Sequence, residues 1–111
     1  MIDKTRMDTL TRLENTIGER LSADPDTSYV ARLNAGGVGK IAQKVGEEAT
    51  ETVIAALSGS DEELVGEAAD LLFHLTVLLQ AKGIALSAVM TELDRREGVS
   101  GLDEKASRKD T

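Results

Sequence analysis

Hydrophobic positions along the chain recur at helical spacing almost from the start. Met7, Leu10, Leu13, Ile17 and Leu21 fall at i, i+3 and i+4, which predicts a first helix. It should stop before Asp24-Pro25-Asp26, because proline disfavours the helical conformation in the residue that precedes it. Thr27 or Ser28 then offers a cap for a short helix to about Asn34, broken by Ala35-Gly36-Gly37. A longer helix is expected from about Val38 to Leu57, ending at Ser58-Gly59. Ser60 with Glu63 three residues on reads as a capping box. The helix it opens runs to about Lys82, with Gly83 as its stop. Ser87 is the expected cap of a last helix to about Arg96, closed by Gly98, and a polar tail follows from 99 to 111. The expectation is one all-α domain over 1–98, a helical bundle built on a central antiparallel helix hairpin.

The two central helices carry apolar residues on two sides. Val45, Ala49, Val53 and Ala56 align on one, and Val65, Ala68, Leu72, Leu75 and Leu79 on the next, opposite faces that are apolar too. Helices apolar on two sides are buried on two sides. A chain of 111 residues has few elements with which to cover both, so homodimerisation is expected to complete the bundle.

Composition narrows the picture further. Hydrophobic residues make up 41% and charged residues 30%, a globular balance. One Phe, one Tyr and no Trp leave the core to aliphatic side chains. The formal net charge of −7 argues against nonspecific nucleic-acid binding, which needs a basic surface. The absence of Cys excludes disulfides and thiolate chemistry. No apolar run at the start suggests a signal peptide, and the chain is read as having no 18-residue apolar stretch. No membrane partner and a cytoplasmic location are therefore expected.

The chemistry lies in the acids of the central helices. At about 100° per residue, Glu47, Glu48 and Glu51 share an arc of about 100°, and Glu67 and Asp70 lie about 60° apart on the next helix. Each helix thus offers an i, i+3 carboxylate pair, Glu48 with Glu51 and Glu67 with Asp70. These acids share their faces with Ile41, Ala55, Leu64, Leu71, His74 and Leu78. Acids set into an apolar stripe need a partner. Facing each other across a hairpin, they repel unless a cation lies between them. Hard oxygen ligands suit Mg2+, and Mn2+ as well. The bland alternative is a set of solvated surface acids or ordinary ion pairs.

Glu47-Glu48-x-x-Glu51 followed by Glu67-x-x-Asp70 resembles the signature of the all-α nucleoside triphosphate pyrophosphohydrolases, the MazG-like superfamily. The wider run is similar to the phosphoribosyl-ATP pyrophosphatase family: Ser28 to Leu33, Gly36-Gly37, Lys44 to Glu51, Glu67 to Leu75, and Glu92 to Arg96. The resemblance spans roughly residues 28 to 108, and departs at Glu97, where relatives often show His. It implies Mg-dependent hydrolysis of phosphoribosyl-ATP to phosphoribosyl-AMP and pyrophosphate, the second step of L-histidine biosynthesis. The cyclohydrolase sometimes fused to this family is not expected, since the chain is short and lacks cysteines. In this reading Glu48, Glu51, Glu67 and Asp70 are metal ligands, and Glu47, Glu48 and Glu51 are the catalytic carboxylates. A metal-bound or carboxylate-positioned water attacks the α-phosphorus.

Other positions keep two readings. Lys40 and Lys44 contact substrate phosphates or pair with Glu47, Glu48 and Glu51 along the helix. Arg32 and the Gly36-Gly37 turn contact phosphate or form an ordinary loop. His74 orients a ligand, serves the substrate, or is a hydrogen-bonded core residue. Tyr29 and Phe73 are most simply packing residues. Arg95, Arg96, Lys105 and Arg108 close over the site or end in solvent. Two rival functions share the pattern: a house-cleaning nucleoside triphosphate pyrophosphohydrolase, and a non-catalytic helical dimerisation module.

Overall fold

The structure is a computed structural model that describes residues 4–97, with side chains from Thr9 onward. It holds five helices, α1 (Lys4–Arg20), α2 (Tyr29–Ala35), α3 (Val38–Ser58), α4 (Asp61–Ala81) and α5 (Leu86–Arg96), and no strand among the described residues. The tail expected from 99 to 111, with Lys105 and Arg108, lies outside the described residues, as does the stop expected at Gly98.

Local chemistry sets most helix ends. Ser28 caps α2 by accepting from the Ala31 N–H at 3.2 Å. The Gly36 amide donates back to Arg32 and Leu33, and the Gly37 amide to Asn34, so both close α2. Gly37 then turns the chain into α3 at φ 93°, a left-handed value that disfavours any Cβ. At α4 the capping box is complete: Ser60 Oγ accepts from the Glu63 N–H at 3.1 Å, and the Ser60 N–H donates to Glu63 Oε1 at 3.2 Å. Asp61, Glu62 and Glu63 also place negative charge in its first turn, where the helix dipole favours it. The helix ends in a Schellman motif. Gly83 stands at φ 71°, its amide donating to Gln80, while the Ile84 amide donates to Leu79 at 2.9 Å.

The cap expected at Ser87 is a correction. α5 begins at Leu86, with Ala85 at the cap position two residues before Ser87, and Ala85 gives no side-chain cap. A residue distant in sequence takes the cap's part: Glu14 Oε2 accepts from the Leu86 N–H at 2.7 Å. The same residue's carbonyl accepts from Gln80 Nε2 at 3.0 Å, so α1 holds the end of α4 and the start of α5 together.

α3 and α4 are joined through Gly59 and Ser60 alone and make the most extensive interhelical contact, with α1 laid against α4 and α2 against α1 and α3. The core forms where these helices meet. Ile17, Val30, Leu33, Ile41 and Val77 are buried there, with Leu13, Leu21, Phe73, Leu78 and Ala81 packed around them. Each such side chain contributes about 1.5–3 kcal/mol when fully buried.

A second correction concerns α4. An 18-residue window of this helix has a mean hydropathy of 1.4, long and apolar enough by composition to cross a membrane. The acids disguise the run, because they crowd the first half and leave 71–81 without a charge. Only 17% of that window is buried within the chain. Val65 and Leu72 of α4 stand exposed, as do Val53, Ile54 and Leu57 of α3.

Candidate metal centre

α3 and α4 bring the predicted acids together. One ligand oxygen each from Glu48, Glu67 and Asp70 lies within 4.8 Å of the others. Glu48 is 6% exposed, Glu67 is partly buried, and Asp70 opens to solvent. Glu51, the fourth expected ligand, comes close enough to Glu67 across the same pair of helices for the two to share a hydrogen bond. That contact requires a proton between two carboxylates. It raises Glu67 to about 7, helped by burial and by repulsion from Glu51, Glu48 and Asp70.

The cluster is short of donors. Glu48 Oε2 and Glu67 Oε2 are buried without a hydrogen-bond partner. A buried carboxylate oxygen left bare is costly, and the neighbours of these two are further carboxylates. The oxygen-only donor set, its convergence and its two orphaned atoms fit a hard divalent cation.

The expected substrate-side residues are distributed around this centre. Lys44 Nζ stands 3.4 Å from Glu47 Oε1 and 3.5 Å from Glu48 Oε1, so it bridges the two. Burial works against its charge, but the hydrogen bond to Glu47 and the fields of Tyr29, Glu47 and Glu48 outweigh it and raise its pKa. Glu47 is exposed and is not one of the three converging acids. It accepts from Gln43 Nε2 at 2.9 Å, and that bond, with Lys44, lowers its pKa. Lys40 is exposed and acts on Glu47 only through its field. Arg32 is exposed and donates from Nε to the Pro25 carbonyl at 3.2 Å, which fixes it to the preceding loop. Arg95 and Arg96 both bond Glu92.

His74 sits one turn beyond Asp70 and is 6% exposed. Its Nδ1 lies 2.8 Å from the Asp70 carbonyl oxygen and its Nε2 lies 2.8 Å from the Tyr29 hydroxyl. Both ring nitrogens are therefore engaged inside the chain. Tyr29 is the partner that the sequence concealed. A buried histidine demands a hydrogen bond, but no local spacing links residues 45 positions apart.

Two grooves flank the cluster. One, of about 500 Å³, runs past Glu63, Glu67 and Asp70 with Ile54 and Ala55 on its apolar side. The other, of about 540 Å³, runs past Gln43, Glu47 and Thr50. Glu51 and Ile54 line both, so Glu51 stands on the ridge between them. Volumes of this order suit a nucleotide-sized ligand.

Residues 10–97 match the sequence profile of the family described as Phosphoribosyl-ATP pyrophosphohydrolase. The chain is 74% identical over 104 residues to the phosphoribosyl-ATP pyrophosphatase of Erythrobacter litoralis, covering 94% of this chain and all of that one. It is 68% identical over 99 residues to the phosphoribosyl-ATP pyrophosphatase of Novosphingobium aromaticivorans, covering 89% of this chain and 92% of its relative. Against the same-named protein of Dinoroseobacter shibae the identity is 54% over 102 residues, with 92% of this chain and all of the other covered.

Proposed function

The chain belongs to the phosphoribosyl-ATP pyrophosphohydrolase family, and from that premise we propose that it hydrolyses phosphoribosyl-ATP to phosphoribosyl-AMP and pyrophosphate in L-histidine biosynthesis. The observation that carries the reading is the convergence of Glu48, Glu67 and Asp70, with two buried oxygens left bare. We assign these three residues and Glu51 to a Mg2+ site, which Mn2+ also suits. The bound cation supplies positive charge against the triphosphate and the leaving pyrophosphate.

The chain's own groups do the rest. Glu51, on the ridge between the grooves, and Glu47, at the edge of one of them, orient the attacking water and take its proton. The water oxygen bonds to the α-phosphorus as the bond to the bridging oxygen breaks, and pyrophosphate departs with the electron pair. Lys44, already held beside Glu48, and Lys40 one turn earlier contact the phosphates. Arg32, tied to the loop before α2, contacts the substrate as well.

In this reading α3 and α4 form the central antiparallel hairpin, and a second copy of the chain covers their exposed apolar flank. The exposure of Leu57 at 83%, Val65 at 69% and Val53 at 56% supports that cover in preference to solvent. The protein then works as a cytoplasmic homodimer. Leu57→Asp should shift its sedimentation from dimer toward monomer, and unchanged sedimentation of a dimeric parent would move the interface elsewhere.

A pyrophosphate-release assay with phosphoribosyl-ATP, ATP and dUTP side by side tests the activity. Mg2+-dependent release from phosphoribosyl-ATP is expected to dominate. Equal or faster release from ATP or dUTP would point to a house-cleaning enzyme, and release from none of them to a non-catalytic module. In 18O-labelled water the label should appear in phosphoribosyl-AMP. Label in pyrophosphate would mean attack on the β-phosphorus.

A further inference from the structure

This chain contains one Tyr, one Phe, one His and no Trp. The structure gathers all three rings into one cluster beside Asp70. Tyr29 stacks on Phe73 with centroids 6.3 Å apart, and His74 meets both edge-on at 5.7 Å and 5.2 Å. The buried core elsewhere is aliphatic. The only aromatic packing in the molecule therefore falls on the turn that carries an acid of the candidate metal centre.

The hydrogen bonds within that cluster have a fixed direction. A carbonyl oxygen only accepts, so His74 Nδ1 carries a hydrogen and donates it to the Asp70 carbonyl at 2.8 Å. In the neutral ring Nε2 is then an acceptor, and the Tyr29 hydroxyl donates to it at 2.8 Å. The imidazole has no N–H left for a substrate. What it does hold is the peptide group of Asp70. That carbonyl faces the residue four positions on as part of the helix, and the ring adds a second donor to it. That peptide group is bonded to the Cα that carries the Asp70 carboxylate. Tyr29 is the first residue of α2, directly after the Ser28 cap, so it anchors the ring from a separate element.

We propose that Tyr29 and His74 are a positioning pair that fixes the Asp70 turn of α4 for cation binding, a role that rests on assigning Glu48, Glu67 and Asp70 to a divalent cation. Neither residue touches the reacting atoms. Groups that orient ligands in this way affect metal affinity when lost, commonly by about 10–100-fold for a direct partner of the ligand. Tyr29 acts one step further out, so a smaller effect is expected from it.

The test measures Mn2+ binding to the substrate-free protein by electron paramagnetic resonance, beside thermal melting. Tyr29→Phe deletes only the hydroxyl and keeps the ring contacts. It should raise the Mn2+ dissociation constant about three- to tenfold, in line with the loss of one hydrogen bond, with kcat falling more than KM rises. His74→Asn should weaken Mn2+ further. The double variant should be no worse than His74→Asn alone, because both substitutions break one linkage. Should His74→Asn fail to fold, Tyr29→Phe alone decides. A Tyr29→Phe protein with a lower melting temperature and unchanged Mn2+ affinity would overturn the pair's role, leaving only a structural contact. Failure of the parent to bind Mn2+, or Mn2+ binding unaffected by Asp70→Asn, would reject the cation site itself and the positioning role with it.

Discussion

Glu67 on α4 and Glu92 on α5 are the same residue type, and their surroundings push them in opposite directions. Glu92 receives Arg95 Nε at 2.8 Å on one oxygen and Arg96 Nε at 3.0 Å on the other. These hydrogen bonds, from Arg95 first and then Arg96, take its pKa down to about 2. Glu67 has carboxylates for neighbours. A hydrogen bond with Glu51, then burial, then repulsion from Glu51, Glu48 and Asp70 take it up to about 7. The α5 cluster contains its own cations and both Glu92 oxygens are used. The α3–α4 cluster has one ammonium at its edge, Lys44, and two buried oxygens with nothing to accept from. A finished ion pair and a binding site are both rich in charge. What separates them is whether the positive charge is already supplied by the chain.

The sharpest way to break this contrast is to remove the acids one at a time. Asp70→Asn and Glu67→Gln should each lower kcat/KM for phosphoribosyl-ATP by about 100-fold or more, the scale seen when a group that stabilises developing charge is lost. Glu48→Gln should do the same. The metal-free Glu67→Gln protein should nevertheless melt no lower than its parent near neutral pH, because the substitution relieves repulsion. Calorimetry without metal and pyrophosphate release with it give the two halves. A Glu67→Gln enzyme of normal activity that melts far lower would make the cluster structural.

The pH dependence sharpens the same point at a smaller scale. The folded pKa of Glu67 is raised from 4.5 to about 7, so the folded chain holds a proton across that interval which the unfolded chain gives up. Its contribution to metal-free stability is full below 4.5 and is lost as pH rises through about 7. Cation binding must expel that proton. Mg2+ affinity should climb by up to about tenfold per pH unit below that point and level off above it. Titration calorimetry in buffers of different ionisation enthalpy would count the released proton. An affinity flat from pH 5.5 to 8 would show that Glu67 does not shed a proton on binding.

Much of this was legible in the sequence, and the reasons differ by element. The ends of α2, α3 and α4 were readable because their signals are local: Ser28, Gly59, the Ser60–Glu63 box and Gly83 act within a few residues. The start of α5 was not, because Glu14 supplies the acceptor from 72 residues away. The meeting of Glu48 with Glu67 and Asp70 followed from helical spacing and a short connection. Spacing alone did not separate Glu47 from Glu48. Both lie on one arc, but Glu47 stands exposed, bonded to Gln43 and Lys44, while Glu48 is buried. The partner of His74 was invisible for the same reason as the partner of Leu86. A long-range hydrogen bond leaves no periodic trace.

The smallest expected effect comes from the other half of the comparison. Glu92→Gln removes an anion that two guanidinium groups already satisfy. Its side chain is 43% exposed, so water and salt screen the pair and its net value is small. The sign of its pH dependence is opposite to that of Glu67. A depressed carboxylate adds stability above its ordinary 4.5, and that contribution fades as pH falls from there toward about 2. Parent and Glu92→Gln should therefore differ slightly in melting temperature at pH 7 and low salt, and converge as pH drops or salt is added. Activity and Mn2+ affinity should stay close to the parent's, since nothing in the α5 cluster waits for an outside charge. A loss of activity comparable to that of Glu67→Gln would mean that Arg95 and Arg96 owe their service to the substrate through Glu92. The α5 pair would then be part of the active centre, and the line drawn between the two glutamates would be in the wrong place.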